Sequence, residues 1–143
     1  MKIIFAGFLV SLIGIGTVSS CSKSSIPAPK EYMTASIGSN AFNAQLVVGG
    51  VTAASSLEIS GNTGSGQNIS QQITIFVSNF NDSAGTFPIA INQGTVINAG
   101  LTSTIAYGTM IITSASASSA TGTFSLTTTD SIKVTNGTFY VAW

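Results

Sequence analysis

From Tyr32 onward, apolar side chains alternate with small polar ones at a period of two. Ile73, Ile75 and Val77 interleave with Thr74, Phe76 and Ser78, and Phe124 and Leu126 with Thr123, Ser125 and Thr127. Successive side chains of a strand point to opposite faces, so this pattern buries one face of a sheet, whereas a helix would scatter it around its axis. No segment carries a helical stripe. The alternation predicts strands over 32–38, 41–48, 55–60, 71–80, 86–91, 103–113, 120–128 and 132–143. Between them lie Gly38-Ser39-Asn40, Gly49-Gly50, the glycine-rich stretch 61–66, Asn81-Asp82-Ser83 and Thr129-Asp130-Ser131. These residue types accept positive φ or bond their own backbone. About eight short strands at such spacing predict an all-β, antiparallel β-sandwich, with a closed up-and-down β-barrel as the alternative. Pro88 lacks a ladder donor, which places its strand at an edge or makes it begin there.

The tripeptide Gly-Thr-Phe occurs at Gly85-Thr86-Phe87, Gly122-Thr123-Phe124 and Gly137-Thr138-Phe139. A glycine leaving a turn, a threonine facing out and a phenylalanine facing in would start a strand and plug the core. The unequal spacings exclude a solenoid or propeller. Asn136-Gly137, set in strand-like sequence near the chain end, reads as a bulge in a long last strand rather than as a hairpin turn.

The chain's first residues form an address. Met1-Lys2 precedes an apolar run from Ile3 to Gly16, and Val18-Ser19-Ser20-Cys21 follows. A membrane-spanning helix needs roughly 20 apolar residues, so this shorter run reads as a secretory signal peptide over 1–20. Its end resembles a bacterial lipobox, with an aliphatic residue three before the cysteine and small residues between. The resemblance implies cleavage before Cys21, a diacylglycerol on its thiol and an acyl chain on its amine. Ordinary cleavage with an accidental cysteine is the alternative, although Cys21 is the chain's only cysteine. Residues 21–30 then form the lipidated cysteine and a polar tether containing Pro27 and Pro29, and 31–143 the β-domain. Two or three acyl chains anchor stably where one does so only marginally. The absence of an acidic cluster behind Cys21 favours the outer membrane facing the periplasm, with surface exposure as the alternative.

Met33-Thr34-Ala35-Ser36-Ile37-Gly38, Phe42, Gly85-Thr86-Phe87-Pro88, Gly122-Thr123-Phe124 and Val134-Thr135-Asn136-Gly137-Thr138-Phe139 together resemble a group of small lipoproteins from Bacteroidota. The likeness covers most of 32–143. Its motifs are glycine and aromatic positions, so it implies a fold and an address and carries no activity.

Composition narrows the function. Only 6% of the 143 residues are charged, and there is no histidine. Nucleic-acid binding needs rows of basic charge, and histidine-dependent triads, metal sites and switches need imidazole; all are excluded. No cofactor is expected. After removal of the signal, the carboxylates are Glu31, Glu58, Asp82 and Asp130. Glu58 alone lies inside a predicted strand, and its alternation with Leu57 and Ile59 turns it to solvent, which makes a carboxylate pair for hydrolysis the weakest of the readings. Asp82 and Asp130 lack the clustered oxygens that calcium requires.

Asp82-Ser83-Ala84 and Asp130-Ser131-Ile132 resemble the acceptor sequence of the general O-glycosylation system of Bacteroidota, making Ser83 and Ser131 candidate acceptors. Asp-Ser is also ordinary turn chemistry. The remaining candidates are aromatic. Phe76 and Phe80 are expected to face away from Ile73, Ile75 and Val77, and Tyr140 away from Phe139, Val141 and Trp143; such rings among hydroxyls could contact a ligand. The alternative is a strand covered on both faces, and Tyr107 fits either set. The reading is a lipid-anchored, non-enzymatic binding module of the cell envelope whose partner is a glycan or an envelope protein. An assembly component pairing through an edge or its C-terminal strand is the first alternative, and a carboxylate-dependent hydrolase the second.

Overall fold

A computed structural model describes residues 28–52, 55–64 and 68–143. Cys21, the signal segment and most of the tether lie outside the described residues. The strands are β1 (Tyr32–Ile37), β2 (Asn40–Asn43), β3 (Leu46–Val51), β4 (Leu57–Thr63), β5 (Gln71–Val77), β6 (Gly85–Ile89), β7 (Gly94–Asn98), β8 (Leu101–Ser116), β9 (Ser119–Thr128) and β10 (Lys133–Ala142). Every pairing is antiparallel, in the order β2-β1-β10-β9-β8-β7-β5-β4-β3, with β6 alongside β8. The protein is therefore all-β and antiparallel, with its sheet curled into two layers.

Both corners are made by chain that passes from one layer to the other. Leu101–Thr104 of β8 pair with β7, while Ile105–Ser116 pair with β9. The β8–β9 register slips between Ile105 and Tyr107 and again between Ile112 and Ser114. Such extra residues bend and twist a strand. At the opposite corner β2 pairs with β1 and β3 with β4. Between β2 and β3, the Ala44 N–H donates to Met33 O at 2.9 Å and the Gln45 N–H to Asn62 O at 2.8 Å. That handover divides the strand expected over 41–48 into two. A further strand, β7, was not anticipated by the alternation; only Gly94 and Val96 of its five residues are buried.

The inward positions form one core. Leu57, Ile59, Ile73, Ile75 and Val96 from one layer meet Met33, Ile37, Met110, Ile112, Phe139 and Val141 from the other, each at most 1% exposed. Burying a side chain of this size contributes about 1.5–3 kcal/mol. The Gly-Thr-Phe triplets of β9 and β10 lie opposite one another in reverse: Gly137 pairs with Phe124, Thr138 with Thr123 and Phe139 with Gly122. A Cβ on Gly137 would stand 2.5 Å from the Phe124 ring, and one on Gly122 would stand 3.0 Å from the Phe139 ring and strike Ile111 O. Each phenylalanine thus lies across the other triplet's glycine, and the two ring centroids are 6.4 Å apart. These two glycines sit in mid-strand rather than at the exits of turns; they are needed because the facing aromatic occupies the space of a side chain. The triplet on β6 does begin its strand, and Phe87 packs partly buried against the core.

Pro88 lies on β6, which among the described residues pairs only with β8 and so stands at an edge there. Asn136, at φ 53°, forms the bulge in β10, where the register slips between Val134 and Gly137. Phe80 departs from the expected outward orientation. β5 ends at Val77, and Asn79 at φ 59° turns the chain, so the strand's parity no longer applies three residues on. Phe80 is fully buried, with ring centroids 6.3 Å from Phe87 and 6.2 Å from Trp143. It is a core residue, not a ligand-contact aromatic.

Candidate functional site

Along β9, Ala120, Gly122, Phe124, Leu126 and Thr128 are buried, which turns Ser119, Thr121, Thr123, Ser125 and Thr127 outward. Every outward position of this central strand is a hydroxyl. Register extends them into transverse rows. One row is Ile111, Thr123, Thr138 and Thr34; the next toward the β9–β10 turn includes Thr109 and Ser125; and the last is Tyr107, Thr127 and Lys133. On the other side of the first row, Thr121 leads to Tyr140 and then Tyr32. Neighbouring strands lie about 4.8 Å apart, so the rows present a close-set array of oxygens and aromatic rings.

Part of this array is internally bonded. Thr34 Oγ1 and Thr138 Oγ1 are 2.8 Å apart, Thr121 Oγ1 donates to Phe139 O at 2.9 Å, and Thr113 Oγ1 donates to Thr121 O at 3.2 Å. The hydroxyls of Thr109, Thr123, Ser125 and Thr127 make no side-chain hydrogen bond among the described residues. Two shallow depressions overlie them. One of about 440 Å³ is bordered by Thr109, Ile111, Thr123, Ser125, Asn136 and Thr138. The other, of about 240 Å³, is bordered by Tyr107, Thr109, Ser125, Thr127, Lys133 and Thr135. They share Thr109 and Ser125 and form one groove across β8, β9 and β10. Its hydroxyls can both donate and accept.

The structure does not bring the sequence-derived aromatic candidates together. Tyr140 faces outward on β10, half-buried beside Tyr32, with ring centroids 6.4 Å apart. Phe76 is 37% exposed on β5, in the opposite layer and directly across from Glu58. Tyr107, undecided from sequence, is 64% exposed on the hydroxyl face. The groove itself could not be found by strand parity alone, because its rows exist only through the register of β8, β9 and β10.

The carboxylates are spread over separate elements. Glu58 is exposed on β4, Asp82 lies in the β5–β6 turn, and Glu31 Oε1 accepts the Ala142 N–H at 3.0 Å. Asp130, in the β9–β10 turn, accepts the Ser103 hydroxyl at 2.6 Å. That bond, with further help from Thr128, holds the Asp130 carboxyl below the usual carboxylate range. No three potential metal ligands come together among the described residues.

Ser83 and Ser131 are both exposed in turns. Ser83 Oγ donates to Phe80 O at 3.2 Å, and Ser131 takes φ 67° with its N–H on Thr128 O at 3.0 Å. No protein-family model, curated protein or solved structure matches this chain.

Proposed function

We propose that the protein is a lipid-anchored, non-enzymatic module of the cell envelope that binds a saccharide on the hydroxyl face of β8, β9 and β10. The observation that supports this reading is the groove: unbonded hydroxyls of Thr109, Thr123, Ser125 and Thr127, with exposed Tyr107 on its border and Tyr140 one row beyond it. Sugars offer hydroxyls to pair with such groups and apolar ring faces to set against aromatics. The lipobox-like segment ending at Cys21 supplies the anchor, so the β-domain need not touch the bilayer.

Glycan-array binding by the full chain in detergent tests the module. Tyr107→Ala and Thr123→Val should each weaken the binding of captured glycans with the fold intact, and unchanged binding in both variants refutes this placement of the site. The intact mass of the native protein reports acyl chains at Cys21 and any sugar on Ser83 or Ser131 in one spectrum. Cys21→Ala should cease to pellet with vesicles.

A second reading, assembly through a sheet edge, is favoured by Leu46 and Val48, 55% and 57% exposed on β3 at one end of the sheet. The C-terminal strand does not supply that edge, because β10 is paired on both sides, with β1 and β9. A concentration-independent monomer in light scattering would remove self-assembly.

A further inference from the structure

We propose that the end of the groove formed by Tyr107, Thr127 and Lys133 selects a saccharide chain bearing carboxylates, one carboxylate meeting the Lys133 ammonium while a neighbouring sugar lies against the Tyr107 ring. The inference deepens the saccharide reading and rests on it. Tyr107 and Lys133 flank Thr127 in a single row, since Thr127 is the cross-strand partner of both. They therefore stand two strand spacings apart, roughly 10 Å, a reach that addresses adjacent sugars of one chain rather than a single ring.

Charge makes the row selective. Lys133 is the one charged residue at the outward positions of β1, β6, β8, β9 and β10, and it forms no ion pair among the described residues. The nearest carboxylate in sequence, Asp130, is already engaged by Ser103 at 2.6 Å. An otherwise neutral face with a lone ammonium at one end matches a ligand that is hydroxyl-rich over its length and anionic where it meets that end. A neutral saccharide would satisfy the hydroxyls and leave the ammonium to water. A carboxylate would add a charge-assisted hydrogen bond. At an exposed site such a pair favours the anionic ligand roughly threefold, and salt weakens the preference.

The test uses the full chain in detergent with two probes, a galacturonic-acid tetramer and its methyl ester, which differ in charge and little in shape. The wild type should bind the acid about threefold more tightly than the ester. That preference should vanish in Lys133→Gln, persist in Lys133→Arg and shrink at high salt, while Tyr107→Ala should weaken both probes alike. Equal binding of acid and ester by the wild type, or a preference that survives Lys133→Gln, overturns the carboxylate inference and leaves the saccharide reading standing. Failure to bind either probe, together with an empty glycan array, overturns the saccharide reading itself.

Discussion

The two layers share a core but differ on their outer faces. On the β3–β4–β5–β7 layer, outward polar side chains bond to one another: Ser60 Oγ lies 2.9 Å from Thr74 Oγ1 and accepts Gln72 Nε2 at 3.1 Å. On the other layer, the central strand β9 carries only hydroxyls outward, and those over the groove have no such partners. Polar groups that satisfy one another stabilise a sheet, whereas polar groups left to water are available to a ligand. The difference leaves the unbonded hydroxyls of β9 as the polar groups open to a ligand.

Because the core is common, the strongest disturbance of either layer should be felt by both. Phe139→Ala in β10 is expected to cost about 3–5 kcal/mol and Ile75→Ala in β5 about 2–5 kcal/mol. Each should give one cooperative denaturant transition with coincident near- and far-ultraviolet signals. Two separated transitions would show that the layers fold as independent units.

The next effect is confined to the layer that contains β9 and β10. Gly137→Ala places a methyl group against the Phe124 ring, 2.5 Å from its nearest atom, and overpacking of this kind costs about 1–3 kcal/mol. Adding Phe124→Leu should recover part of that loss, so the double variant should be more stable than the sum of the singles implies. Strict additivity in urea titrations would mean that the ring does not lie over the glycine.

The faces themselves separate at about 1 kcal/mol. Thr74→Val removes a hydroxyl partner of Ser60 and should destabilise by about that amount. Thr123→Val removes a hydroxyl with no intramolecular side-chain partner and should stay within about 0.5 kcal/mol while weakening saccharide binding. Equal stability losses would erase the distinction between the layers.

Much of this contrast was written in local patterns, and the rest needed register. Alternation turns Thr123, Ser125 and Thr127 to one side of β9, the missing donor of Pro88 places it on an edge strand, and Asn136-Gly137 within strand-like sequence marks the bulge. Alternation fails at Phe80, where two turn residues after Val77 reset the parity, and at Ala44-Gln45, where the chain changes layers without glycine or proline to announce it. It also cannot tell which layer a strand joins, so Phe76 and Tyr140 looked equivalent and lie on opposite faces. The groove with its Tyr107–Thr127–Lys133 row depends on pairings between strands, and those pairings are set by non-local packing.

The smallest effect concerns the corner where the layers meet. Ser103 sits on the part of β8 that pairs with β7, and Asp130 in the turn between β9 and β10, so their hydrogen bond ties one layer to the other, beside the Thr129 N–H on Thr104 O at 2.9 Å. The bond favours the ionised carboxylate and lowers its pKa from 3.8. A carboxyl with a depressed folded-state pKa contributes its stability above the unfolded value and loses it as pH falls through the folded one. The contribution of this clasp should therefore be complete at neutral pH and disappear below 3.8. Ser103→Ala should move the Asp130 carboxyl resonance, followed by carbon NMR through an acid titration, up toward the unperturbed value. An Asp130 titration that does not move in the variant would show that the hydroxyl is not what holds the charge, and the corner would then rest on its backbone bonds alone.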